Sequence, residues 1–572
     1  MLKKIYIQIN HWWCEQTSLL QNIILIVLAI LVGSFYGISL VDSAVIPTNI
    51  SWLLNGGDFS QHYLGWVFYR NDPDWHFPLS ITGHLIYPTG IGIGYTDSIP
   101  IVALISKIFS GVGLLPVPFQ YFGLIILTSF TLQTYFGMRI GLLVSRNNLI
   151  LAILFGLLVI QAPPLMWRIC GHIALTNQWV ILCAIWLYLQ ENKQFTTKDI
   201  LLSRLVLIFI AGGIHPYLAV MTLLILIASY FRLLLEKKCQ FSRVLTFSIA
   251  TIICLLFSWY IFGYLSGAAT EISSGYTDYS LNLLALFNPY SGTSVILPPI
   301  PHVTHGQAEG YSYLGLGVIL LLVTNLFYVK KSFNQLFSPA LLPLTLTCLF
   351  LTLFAVTTKV TFGPFTLFSV ELPESLLSQL GIFRASGRMI WPVYYLIFVG
   401  LFAVTLRYWN QSRSLLILIM VIAIQFVDLH PLRLIVTDNA HLPPESSPLI
   451  AREWQEVNFN HDKLIVLPPY QCGNFTEEKP NFVIFASLAA EQKLKINSFY
   501  AARMSVKDRK FHCREFPETV KSGILEDDAA YVMSQQFYNS IASREKITSH
   551  YCSIVDNFVL CRRRVNNISS AG

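Results

Sequence analysis

The chain alternates long apolar runs with short polar gaps, and many of the runs reach the roughly 17–25 residues that a helix needs to cross a bilayer. In order they are Asn22–Val41, Phe119–Leu143, Asn148–Ile160, His172–Leu189, Leu205–Ile214, Tyr217–Phe231, Val244–Leu265, Tyr311–Tyr328, Leu341–Val356, Met389–Leu406 and Leu415–Leu429. The pattern predicts an all-α polytopic membrane protein with about eleven transmembrane helices. From about Thr437 the apolar runs shorten, charges of both signs appear, and Pro443-Pro444 marks a linker. Lys463–Pro468 reads as a buried strand, Phe482–Glu491 as a helix and Asn557–Arg562 as a second strand. The expected organisation is a membrane domain over 1–436 and a small soluble α/β domain over 437–572.

Positive charge marks the cytoplasmic side of a membrane protein and sets the direction of each run. Lys3 and Lys4 place the N-terminus inside, and Asn22–Val41 reads as a signal anchor rather than a cleaved leader. The stretch Val244–Val329 contains no Lys or Arg, whereas Lys193, Lys198, Arg204, Arg232, Lys237, Lys238, Arg243, Lys330, Lys331, Arg407 and Arg413 fall in alternate gaps. The loops 42–98, 266–310 and 357–388 and the C-terminal domain are therefore expected outside. Ile99–Leu115 breaks the alternation if it crosses, so it is expected to lie along the outer interface with Lys107 toward the headgroups.

Composition agrees. Of 572 residues, 54% are hydrophobic and only 12% charged, too little charge for a soluble surface of this size. The net charge of +7 is spread through short loops, which suits anionic lipid headgroups and gives no reason to expect nucleic acid. Among the ten cysteines, Cys14, Cys170, Cys183, Cys239, Cys254 and Cys348 lie in or beside apolar runs as packing residues. Cys472, Cys513, Cys552 and Cys561 all fall in the tail, and an even set in an outer domain suits disulfides. Of the three possible pairings, Cys472–Cys513 with Cys552–Cys561 is favoured because each closes a local loop. No C-x-x-C spacing supports a metal there.

Ionisable residues at a membrane edge are expensive, so a cluster of them points to function. Asp58, His62, Asp97, His172, His215, His302, His305, Glu309, Arg384 and Arg388 all fall at outer loops or outer ends of the runs. Asp58 and His62 are spaced to share a helix face, and Asp58 is equally explained as the N-cap of a helix Phe59–Tyr69. Asp97 fits the turn chemistry of Tyr95-Thr-Asp-Ser-Ile-Pro100. His172 and His215 sit where a histidine either caps a helix end or binds a ligand. His302 and His305 are spaced for a metal but have no evident third ligand, so a divalent metal is an open but not favoured reading and no cofactor is certain. Arg384 and Arg388, in Phe383-Arg-Ala-Ser-Gly-Arg388, are arginines on the side where anchoring arginines are scarce, which favours a bound anion.

A first span, a long outer loop with an early Asp58, an interfacial helix, many spans and an outer C-terminal domain resemble the GT-C superfamily of integral membrane glycosyltransferases. Gly57-Asp-Phe-Ser-Gln-His-Tyr-Leu-Gly-Trp66, Tyr95-Thr-Asp-Ser-Ile-Pro100 and Ala385-Ser-Gly-Arg-Met-Ile-Trp-Pro-Val-Tyr-Tyr395 more narrowly resemble a bacterial membrane family, domain of unknown function 6311. The resemblance implies transfer of a sugar from a polyprenyl-phosphate donor to a cell-envelope glycan, lipid or protein on the periplasmic face of the inner membrane. It implies Asp58 as the first-loop acid and Arg388, with Arg384, as the phosphate holder, while His172, His215, His305, Asp97 and His62 are expected to line the donor site. The superfamily's second adjacent acid is replaced by Phe59, so a paired-acid or metal-assisted mechanism is not implied. The rival readings are a flippase or transporter of lipid-linked substrates, for which neither repeats nor mid-span ionisable residues are visible, and a membrane scaffold with an outer binding domain.

Overall fold

The computed structural model describes residues 2–190, 197–266, 275–458, 461–473, 482–541 and 550–563. Lys193 and the first part of the expected loop 266–310 lie outside them. The chain folds as two compact units, one formed by 1–49, 120–258 and 272–441, the other by 50–119, 259–271 and 442–572. The long first loop thus joins the tail rather than the helices around it.

The first unit is helical. Among the described residues, six helices are long and apolar enough to cross a membrane: Ser18–Val45, Pro216–Leu235, Phe241–Ile261, Leu316–Phe337, Ser386–Tyr408 and Gln411–Asp428. Their outward faces carry exposed Ile26, Leu31, Ile253, Leu326 and Ile419, side chains that would be buried in a water-soluble protein. Leu149–Ile160, Ile173–Leu189 and Leu342–Val356 are shorter apolar helices. Phe122–Val144 and Thr197–Ile214 are helices that carry charge within them, Arg139 and Arg204 among it. Arg204, expected in an inner gap, is instead enclosed, only 2% exposed. Its guanidinium donates to Ser229 Oγ and to the carbonyls of Ile200 and Leu187, while Arg232 donates to Tyr188 O. Leu187 and Tyr188 end the helix Trp179–Leu189, whose last carbonyls have no partner within the helix. A cation at that negative end of the helix dipole satisfies both needs.

The second unit is built on a five-stranded sheet. Its strands are β1 (Lys463–Leu467), β2 (Lys495–Ile496), β3 (Ala529–Met533), β4 (His550–Val555) and β5 (Phe558–Arg563). Their order is β2-β1-β3-β5-β4, with β1 parallel to β2 and β3, and β5 antiparallel to β3 and β4. β1 and β3 are almost wholly buried, as parallel central strands require. The helix Phe482–Glu491 packs on β1 with the bounds its sequence predicts. Cys552 and Cys561 lie directly opposite on β4 and β5 and are disulfide-bonded, as are Cys472 and Cys513.

The first loop completes this unit by joining the sheet edge. Tyr87 N–H donates to Ile496 O and Ile496 N–H to His84 O, so residues 84–87 run alongside β2. Gln61 Nε2 donates to Tyr500 O, Asn71 Nδ2 to Ala490 O and Ala502 N–H to Tyr95 O. The helix Pro100–Gly111 belongs here and covers most of the run Ile99–Leu115. Its Lys107 does not face headgroups. It is buried, donates to Asp74 O at 3.1 Å and lies over the rings of Tyr69 and Trp75.

Candidate functional site

In the helical unit the site is organised by one carboxylate. Glu309 closes a short 3-10 turn, His305–Gly310, and Arg388 lies in another, Ser386–Ile390. Glycines let the two turns touch: a Cβ on Gly387 would stand 2.8 Å from Gly310 Cα. Gly387 N–H donates to Tyr279 O and Ala385 N–H to Tyr217 Oη, which fixes the second turn. Glu309 Oε2 then accepts from Arg388 Nε at 3.0 Å and from its second guanidinium nitrogen at 2.6 Å. Arg168, just past the helix Pro163–Trp167, donates to the same oxygen at 2.6 Å and to Glu309 O at 2.8 Å. His172 Nε2 stands 3.5 Å from Glu309 Oε1.

Two arginines and a histidine thus surround one acid. Burial by itself raises the Glu309 pKa, but Arg168 and Arg388, with His172, hold it well below the usual carboxylate range. The arginines rest on aromatic rings, Arg168 over Trp391 and Arg388 over Tyr217. Such an array can hold an anion with paired, preoriented donors. Arg384 is different. It lies over the Tyr279 ring, and no described carboxylate stands within ion-pair distance of it.

The other expected residues of this unit separate by use. His215 caps the helix Pro216–Leu235, its Nδ1 accepting from Tyr217 N–H at 3.2 Å. His302 is hydrogen-bonded to Asn288 and stacked on Tyr290, while His305 stays exposed. Arg168 was not anticipated. Its signal was the one that marked Arg384 and Arg388, a basic residue in an expected outer turn.

In the second unit Asp58 lies in the first turn of the helix Gly57–Asn71 and is not its cap. That position belongs to Gly56, at φ 97°, whose N–H donates to Ser60 Oγ. Asp58 is half-buried, and its charge reaches the hydroxyl of Tyr470, part of an aromatic group with Phe482 and Tyr500. The tail therefore contributes a wall beside Asp58, which the sequence did not indicate. His62, fully buried, lies 3.8 Å from Asp97 through Nε2 and Oδ2. Asp97 adopts the left-handed conformation at φ 54°, at the end of a 3-10 turn.

Fold and site together define a multi-pass helical membrane protein with a small sheet domain and a cation-rich cluster at the ends of its helices. The chain belongs to the family described as Domain of unknown function (DUF6311), whose model matches residues 25–430, and the family's C-terminal domain matches 453–563. No curated protein matches it. Among solved structures it is similar to ArnT from Cupriavidus metallidurans in the apo state, at 11% identity and a TM-score of 0.43, over 95% of this chain and 98% of that one. It is also similar to the Archaeoglobus fulgidus oligosaccharyltransferase in the apo form, at 10% identity and a TM-score of 0.39, over 90% of this chain and 70% of that one.

Proposed function

We propose that this protein is a membrane glycosyltransferase that moves a sugar from a polyprenyl-phosphate donor to a cell-envelope glycan, lipid or protein on the periplasmic face of the inner membrane. The observation that carries the reading is the Arg168–Glu309–Arg388 cluster with His172, a preassembled array of oriented guanidinium donors that suits a phosphate. Breaking the bond between anomeric carbon and phosphate oxygen leaves negative charge on the phosphate, and fixed cations stabilise that charge as it develops. Arg388 and Arg168 take this role, with Arg384 beside them. The attacking hydroxyl must lose a proton, and Asp58 is assigned as its base. His172, His305, Asp97 and His62 are assigned to the surroundings of the donor and acceptor, and His215 to holding Tyr217. The reading places the N-terminus inside, the C-terminal domain outside, and about eleven helices in the membrane.

The test is sugar transfer from a native lipid extract to the endogenous acceptor by purified variants with wild-type melting curves. Asp58→Asn is expected to lower the rate by about 10²–10⁴-fold, the usual worth of a general base. Arg388→Lys keeps the charge but loses the paired donors, so it is expected to raise KM for the donor more than it lowers kcat. Full activity in folded Asp58→Asn overturns the catalytic assignment.

A further inference from the structure

Away from the ionic cluster, the helical unit contains an apolar groove of about 790 Å³. Its walls come from three helical segments, with Leu31 and Phe35 on the first, Leu154 and Leu157 on the second, and Ile419 and Phe426 on the third. Two features separate it from an ordinary seam between helices. Gln161, 3% exposed, lines the groove. Its Nε2 donates to Leu157 O, while its Oε1 is buried with no hydrogen-bond partner among the described residues. Arg433 lies against the groove, stacked on the lining ring of Phe426 at 3.8 Å, donating to Phe426 O at 2.6 Å and interacting with the hydroxyl of Tyr36, another lining residue. Among the described residues no carboxylate lies within ion-pair distance of Arg433.

We propose that this groove holds one acyl chain of a glycerophospholipid, with Arg433 on the lipid's phosphodiester. An apolar channel beside a cation with no described carboxylate partner matches an amphiphile carrying one negative charge. The third wall extends from Ile419 to Val427, roughly 12 Å of helix at 1.5 Å per residue. That is close to the roughly 15 Å of one leaflet of a 30 Å hydrocarbon core. The depth suits an acyl chain seated in one leaflet better than a much longer polyprenyl chain. A headgroup hydroxyl near Gln161 supplies the donor that its Oε1 lacks. The proposal needs the membrane placement but not the transferase reading.

Native mass spectrometry of the full chain, released from detergent after incubation with phosphatidylglycerol, tests it. One retained lipid per chain is expected. Arg433→Gln is expected to lower retention by about tenfold, because a charge-assisted hydrogen bond is lost. Ala423→Trp fills the groove and is expected to abolish retention. If that variant does not fold, Arg433→Gln at the groove edge carries the test alone. Undiminished retention in Arg433→Gln, no retained lipid in the wild type, or displacement of phosphatidylglycerol by polyprenyl phosphate at lower concentration each overturns the proposal.

Discussion

Glu309 in the helical unit and Asp72 in the loop-and-sheet unit are both carboxylates withdrawn from water, but they are held by different chemistry. Glu309 is met by full charges, Arg168 and Arg388, and its side chain keeps 23% exposure. Asp72 is 1% exposed. Its Oδ2 accepts from Thr82 Oγ1 and Gly83 N–H, each at 2.8 Å, with His76 at 3.1 Å, and its Oδ1 accepts from Asp74 N–H. Burial pushes the Asp72 pKa up, yet these hydrogen bonds bring it below the ordinary range. Asp72, Asp74 and His76 bring ligand atoms within 4.8 Å of one another. Lys107 already supplies a cation beside them, hydrogen-bonded to Asp74 O. One acid is saturated by local donors and closes a loop. The other is shared by two guanidiniums at a partly open position. A buried acid is thus a functional signal when long-range guanidiniums meet it at a partly open position, and a structural one when donors from its own loop enclose it.

The largest expected effect is at the closed acid. Asp72→Ala leaves several buried donors without an acceptor and is expected to cost about 4 kcal/mol, from roughly 1–3 kcal/mol per orphaned group. Thermal melting of the full chain measures it, and a loss under about 1 kcal/mol would mean that the loop does not depend on Asp72. At the open acid, Glu309→Gln is expected to cost about 3 kcal/mol, because it removes the buried carboxylate charge that two close guanidiniums share. Here added phosphate should restore part of the melting temperature, whereas it should leave Asp72→Ala unmoved. Equal rescue of both variants, or of neither, breaks the contrast.

Acid sharpens it further. His512, fully enclosed and hydrogen-bonded to Thr89, is pushed by burial from 6.5 down to about 4. Between those values the unfolded chain takes up a proton that the folded chain refuses, so stability falls as pH drops through that window. By pH 4 the loss reaches about 3 kcal/mol, at 1.36 kcal/mol per pKa unit. The depressed carboxyls of Asp72 and Glu309 contribute stability that is present above the ordinary carboxylate range and lost only further down, as pH falls through their folded values. Melting curves of wild type and His512→Gln from pH 7 to 5 check this. The variant should lack the loss in that window, and identical slopes would rule His512 out as its source.

Much of the architecture was legible because a bilayer imposes its own code on a chain. Asn22–Val41, Tyr217–Phe231, Met389–Leu406 and Leu415–Leu429 each fall inside or nearly inside an observed candidate span. Charged helices were harder. Arg204 read as a gap residue, although it lies within the helix Thr197–Ile214, because sequence shows a charge but not the helix end that receives it. Lys107 read as a headgroup contact because nothing local reveals the aromatic rings of Tyr69 and Trp75 that enclose it. Family membership was accessible in short runs such as Ala385-Ser-Gly-Arg388, where the backbone needs glycine and the site needs arginine.

The sequence by itself determined a helical membrane protein with a small sheet-containing tail, two tail strands read at Lys463–Pro468 and Asn557–Arg562, and the pool of residues from which a site could be assembled. These follow from periodicity, run length and charge placement, which are local properties. Only the tertiary structure decided that loop 50–119 packs with the tail, that Arg168 and Arg388 share one oxygen of Glu309, and that Gly56 rather than Asp58 caps its helix. Arg168 and Arg388 are separated from Glu309 by 141 and 79 residues along the chain. Which cation meets which acid depends on how helices and turns pack, and that close approach is written in shape rather than in the order of residues.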